Sequence, residues 1–320
     1  MLPPAAELKD SRGAAIGSKQ YFSRGTAHAL LAHLYAWKGA LNGEPELFEK
    51  GIRAADEVIG EGGYALVASP AEVCTEVMHG NSVEGILELD FDDSKGESKT
   101  SGSYMAGLCQ TWPVQPRTTP ATRRTTAITN SLVYELYPDE TDLRRQEYFY
   151  CLDSMAEVST SVTQGCAYIY KWRHPVVYTE GILAGRMKTY DENDVLIRLA
   201  DIILLRAELR LKTGDRAGAI GDLNLIRRRA RAKEYTEAEG DLAEAIALER
   251  DRELLLEGIC IRYWDIVRNG TYRTKLKGAF RTLTDEEVDN GALYLPVSTN
   301  AFTNNPPMRQ NVYWKSHGFN

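Results

Sequence analysis

The 320-residue chain has no apolar run approaching the ~20 residues that a bilayer-crossing helix needs. Its opening, Met1-Leu2-Pro3-Pro4, lacks the charged and apolar segments of a secretory signal. It has no basic block: 38 Lys and Arg against 45 Asp and Glu leave a net charge of −7, which argues against a nucleic-acid surface. Cys74, Cys109, Cys151, Cys166 and Cys260 show no C-x-x-C spacing. His28 and His33, five apart, fall on different faces of a helix, so no metal site is expected. Scattered free thiols are the expected state, and a Cys151–Cys166 bridge is the alternative that an oxidising compartment would permit. Ser/His/Asp order, H-E-x-x-H, P-loop and G-x-G-x-x-G are all missing.

What is present is ordinary for a soluble globular chain, 43% hydrophobic and 26% charged, and long enough for one large domain or two. Its organising stretch is 193–269. Leu196, Leu199, Ile203, Ala207 and Leu211 recur at helical spacing, with Arg198, Asp201, Arg206 and Arg210 between them. Gly214-Asp215 stops that helix and caps the next, whose Ala219, Leu223, Ile226 and Ala230 share a face. Small alanines let paired helices approach closely, as in tetratricopeptide hairpins. An earlier hairpin is read over 18–64: a helix from Ser23 to Trp37 and a returning one from Glu46 to Ile59.

Between the hairpins, 69–191 reads as a long, partly irregular insertion. Val83 to Phe91 alternates like a short strand, Asn130 to Tyr137 makes a short helix, and Gly165 to Tyr178 carries strand-like aromatics. The acidic group Asp90, Asp92, Asp93 and Glu97 could suggest the paired carboxylates of glycoside hydrolysis, but its crowding in one loop reads as a solvated turn. As a calcium loop it fails, with Lys95 where an EF-hand needs glycine. Glu249, Arg250, Arg252, Glu253 and Glu257 sit at i, i+3 and i+4 spacing and read as intrahelical ion pairs, worth ~0.3–0.5 kcal/mol each when exposed.

Three motifs in order carry a family resemblance. R-L-A-D-I-I-L-L-R-A-E followed by G-D-R-A-G-A-I-G-D-L-N-L-I-R-R-R-A resembles the late helical hairpin of the SusD/RagB family. E-R-D-R-E-L-L-L-E-G and then R-Y-W-D-I-V-R-N-G is similar to its E-R-x-x-E-L-x-x-E-G-x-R-x-x-D-L-x-R signature. The tail, 271–320, holds Y-L-P-V-S-T-N and N-P-P-M-R-Q-N, like the family's closing P-I-P and N-P-x-x-x-Q-N elements. Asp201 stands where the family usually has Glu, and Gly258 to Arg262 holds two residues more than its usual spacing. Two extra residues rotate a continuous helix by about 200°, so a break or bulge is predicted near Gly258 to Ile261.

The resemblance implies a single mainly α domain of tetratricopeptide-like hairpins carrying the insertion. It further implies a lipid-anchored, non-catalytic protein at the outer-membrane surface, without cofactors. Such a protein binds a nutrient, usually an oligosaccharide, and delivers it to a TonB-dependent SusC-like transporter. Members begin with a lipoprotein signal and a first helical repeat that nothing here matches, so an N-terminally truncated chain is expected, its membrane anchor missing. Sugar recognition uses rings with polar edges, and 17 tyrosines and 5 tryptophans against 7 phenylalanines favour such rings. Trp112, Tyr104 and Trp172 are the stacking candidates, with Tyr168, Tyr170 and Tyr178 nearby, and Gln110, Arg117, Arg123 and Arg124 are the hydroxyl or carboxylate partners. Trp37, Trp264 and Trp314 are assigned to the core. The reading from a different class is a helical scaffold that binds only a protein partner.

Overall fold

A computed structural model describes residues 2–61, 63–97, 127–258, 261–303, 305 and 307–319. The chain is mainly helical, with helical hairpins and three small two-stranded sheets among the described residues. It divides into two compact units, Met1–Ile259 and Cys260–Asn320.

In the first unit, α1 (Arg24–Asn42) starts at Ser23 with a reciprocal capping box: Ser23 accepts from the Thr26 amide, and Thr26 accepts from that of Ser23. It ends at Gly43, whose φ of +66° closes the helix. The returning α2 (Glu46–Gly60) lays Gly51, Ala54, Ala55 and Val58 against Ala29, Ala32 and Ala36 of α1. A side chain at Gly51 would put its Cβ 2.7 Å from Leu209 Cδ1, so only glycine admits the next helix at this spacing.

β1 (Gly85–Leu89) begins the insertion's exit from this hairpin. β2 (Ile128–Thr129) leads into α3 (Asn130–Leu136) and pairs antiparallel with β3 (Cys166–Ala167), and β4 (Val176–Val177) pairs with β5 (Met187–Thr189). β6 (Asp194–Arg198) is antiparallel to β1 in an irregular register, Leu87 opposite Ile197 and Leu89 opposite Asp194. This corrects the helical reading of the stretch. Val195 and Ile197 are buried while Asp194 and Leu196 are less so, and helix begins only at Leu199.

α4 (Leu199–Lys212) is the centre of the unit, packed by α1, α2, α5 (Arg216–Arg229) and α6 (Leu242–Glu253). Residues Leu199 to Leu205 are all buried, which is why this helix is weakly amphipathic. A second core under the insertion gathers Val73, Val77, Tyr137, Tyr148, Phe149 and Trp172. The chain leaves helix at Leu254, Leu256 and Gly258 take φ of +60° and +62°, and helix resumes at Ile261. The predicted break is there, a few residues earlier than the spacing suggested.

The second unit holds α7 (Ile261–Arg268), α8 (Asp285–Asp289) and α9 (Val312–Ser316) around Ile266, Tyr272 and Leu293. Its tail motif is structural: the Gln310 side chain accepts from the Val297 amide (2.9 Å) and donates to the Val297 carbonyl (3.1 Å). Asn311 caps α9 through the Trp314 amide. Trp37, Trp264 and Trp314, expected in the core, are only half-buried.

Candidate functional site

The candidate binding residues lie in sequence between the acidic group that follows β1 and Ala127, which leads into β2. Asp92 and Glu97 exchange backbone hydrogen bonds of 2.8 and 2.9 Å, closing one tight turn over Asp93–Lys95. Hydrogen bonds from Lys95 first, and then Ser94, hold the Asp92 carboxyl down to about 2. Lys188 of β5 donates to Asp93 at 2.6 Å. Asn193 donates to both Glu88 (2.7 Å) and Asp90 (2.9 Å), and Ser18 donates to Asp90. The carboxylates thus pair locally rather than as an acid and base across a cleft.

What fixes the insertion against the helices is a buried charge network. Arg144, fully buried, donates to Asp142 (2.7 Å), Glu249 (2.7 Å) and Glu253 (3.2 Å). Arg198 at the end of β6 reaches Glu84 (2.5 Å) and both oxygens of Glu257 (2.6 and 2.8 Å). Arg229 donates to Glu84 (3.3 Å) and Glu253, and Arg227 to Glu249 (3.1 Å) and Glu239 (2.6 Å). Lys171 donates to Glu257 and to the carbonyls of Glu253 and Leu255, both at 3.2 Å, and its ammonium lies 4.2 Å from the Tyr148 ring.

Burial works to raise the Glu253 carboxyl's pKa, but Arg229, Arg198, Arg144 and Lys171 outweigh it and hold the group well below the usual range. The same exchange keeps Arg144 and Arg198 charged against desolvation. Beside the network, Asp201 lies between Arg250 (2.7 Å) and His33 (2.8 Å). The expectation of exposed intrahelical pairs over 249–257 is therefore corrected. Glu249 and Glu253 are buried, and their partners come chiefly from other elements, with Arg252–Glu249 a longer i, i+3 contact at 3.8 Å. Spacing along one helix could not show that these charges meet Arg144, Lys171, Arg198 and Arg229.

Tyr104, Gln110, Trp112, Arg117, Arg123 and Arg124 lie outside the described residues, as does Cys109. Trp172 is 3% exposed and packed in the second core, so it has no open face for a sugar and leaves the candidate set. Tyr168 is buried as well. Tyr170 is half-buried, edge-on to Tyr150 at 5.5 Å and covered by Arg173 at 4.8 Å, whereas Tyr178 is exposed. The Cys74, Cys151 and Cys166 thiols are free, and burial pushes that of Cys74 up to about 12. No described helix is long and apolar enough to cross a membrane.

Comparison with curated sequences finds no match. Solved structures do match in fold. A SusD homologue from Bacteroides thetaiotaomicron shares 22% identity and superposes with a TM-score of 0.74, over 96% of this chain and 63% of that one. Surface glycan-binding protein A from the same organism is 19% identical, with a TM-score of 0.67, over 98% and 66% of the two chains. A SusD superfamily protein from Parabacteroides distasonis gives 20% and 0.63, over 91% and 63%. The chain thus spans slightly less than two thirds of the first of these structures. The model of the SusD family (SusD_RagB) matches residues 90–314, well over half of the chain, which therefore belongs to that family.

Proposed function

We propose that the chain captures a nutrient glycan at the outer-membrane surface and hands it, without breaking a bond, to a TonB-dependent SusC-like transporter. The observation that carries this reading is membership of the SusD family over 90–314, a span that includes Tyr104 and Trp112. The fold it shares with surface glycan-binding protein A supports the ligand class. Trp112 and Tyr104 are assigned to stacking on the apolar face of a pyranose, and Gln110, Arg117, Arg123 and Arg124 to its hydroxyl or carboxylate groups. Titration of a panel of neutral and acidic oligosaccharides by calorimetry tests the reading. Binding by the parent chain should weaken about 30-fold or more in Trp112→Ala, the loss typical of a central aromatic anchor. Unchanged affinity would refute the assignment of Trp112, and release of reducing ends during long incubation would refute the non-catalytic role.

One feature favours the scaffold alternative. Leu30, Leu31, Leu34 and Leu41 form an exposed stripe at helical spacing along α1, with exposures of 37–64%. A protein partner would cover such a stripe, and silence across the whole glycan panel would shift the reading to that partner.

A further inference from the structure

Beneath the N-terminal segment lies a cavity of about 230 Å³, far in sequence from Tyr104 and Trp112. The segment turns at Gly13 and bridges back on itself, Lys9 opposite Ala15. It continues along β1, where the Glu88 amide donates to the Lys19 carbonyl. Leu8, Ile16, Lys19 and Tyr21 of the segment line the cavity together with Ser23 and Tyr64 of the hairpin. The volume is below the ~300–1,000 Å³ of drug-sized pockets and suits one ring rather than an oligomer.

Its polar groups are incompletely used. The Lys19 ammonium lies 5.2 Å from the Tyr64 ring, and among the described residues no hydrogen bond or ion pair reaches it. Burial pulls its pKa down, while the more distant charges of Glu88 and Glu61 oppose that pull. Adjacent to the cavity but outside its lining, Glu61 Oε1 accepts from the Ala5 amide at 3.0 Å, and its Oε2 is buried with no hydrogen-bond partner among the described residues. That oxygen and the Tyr64 hydroxyl both crowd Gly25, where an added Cβ would lie 2.8 and 2.5 Å from them. The Tyr64 hydroxyl itself bonds Ser23 Oγ at 3.0 Å.

We propose that this cavity binds one neutral polyhydroxylated ring, a pyranose or a cyclic polyol, independently of the candidate residues at 104–124. A hydroxyl group can accept from the Lys19 ammonium, as no group in the described lining of the cavity does. The C–H face of the ring rests on Leu8, Ile16 and the Tyr21 ring. A lone carboxylate would bring like charge towards Glu61 and Glu88, and a lone alkylammonium would bring it towards Lys19.

Acylation of Lys19 in the full chain by a water-soluble active ester, read by peptide mass spectrometry, tests this. The probes are methyl glucoside and myo-inositol, with alanine as the zwitterionic control. Few contacts imply a Kd on the order of 1 mM, so about 10 mM of either hydroxylated probe should slow Lys19 acylation about tenfold. The exposed Lys95 should be unaffected. Ala15 and Ala6 are exposed and tolerate replacement, and filling the mouth by Ala15→Trp, or by Ala6→Trp if the first fails to fold, should abolish the protection. Protection that persists in Trp112→Ala separates this cavity from the residues at 104–124. No protection by either hydroxylated probe, protection by alanine alone, or protection undiminished in both filled variants would overturn the proposal.

Discussion

The Met1–Ile259 unit is held by two joints of opposite chemistry. Between α1, α2 and α4 the contact is apolar and small: Ala29, Ala32, Ala36, Gly51, Ala54 and Ala55 let backbones close together. Between the insertion and α6 the contact is charged and buried, with Arg144, Lys171, Arg198 and Arg229 set among Glu84, Glu249, Glu253 and Glu257. The first joint is non-directional and sensitive to volume. The second is directional and sensitive to the loss of any one member, because each buried ion is tolerable only while its partners remain. An insertion that must keep one orientation on a helical base is well served by the second kind. The base itself needs only the first.

The sharpest way to break this contrast is Glu253→Gln, which keeps the shape and removes one charge. Arg144, Arg198 and Arg229 lose a shared carboxylate, and unfolding by denaturant should show a loss of about 3–5 kcal/mol. The acid limb of the stability profile gives a second readout. A carboxyl held below its unfolded value of about 4.3 binds its proton more readily in the unfolded chain. Its contribution is therefore complete above that value and declines as pH falls below it, towards the lower folded value. The parent chain should lose stability along that limb, and Glu253→Gln should lose less. Parallel profiles would mean that Glu253 is not the charge that ties the joint.

The apolar joint is tested by volume. Ala55→Leu adds three carbons where Ala55 is fully buried against α1, and a loss of about 1–3 kcal/mol is expected. Denaturation at several salt concentrations should leave that loss unchanged, since no charge is involved. A neutral outcome would mean that α1 and α2 can separate without cost.

The helical seam was legible because period and residue size speak directly. Ala219, Leu223 and Ile226 share a face in the sequence and are buried in the fold, and Ser23 caps α1 where the pattern starts it. Leu196 was misread because a five-residue strand running into a helix keeps its apolar residues close to helical phase until Leu199. The site was less legible. Trp172 carries the residue type that sugars use, yet its ring packs inward, and type alone does not fix direction. Nothing in the sequence marks Lys19, since its place beside Tyr64 depends on the N-terminal turn lying over the hairpin.

The charged spacing shows the limit most clearly, and the smallest expected effect measures it. On α2, Glu49 and Arg53 stand at i, i+4 as good helical partners do, 3.8 Å apart and each about two thirds exposed. On α6, Glu249 and Arg252 stand at i, i+3 with the same residue types and the same 3.8 Å separation, yet Glu249 is buried. From the sequence the two helices read alike, and water makes the difference. An exposed pair has solvent to replace either partner, so Glu49→Ala should cost no more than about 0.5 kcal/mol, an amount that falls further in salt. A cost approaching that of Glu253→Gln would show that helical spacing, and not burial, sets the worth of these charges, and the distinction between the two joints would fail.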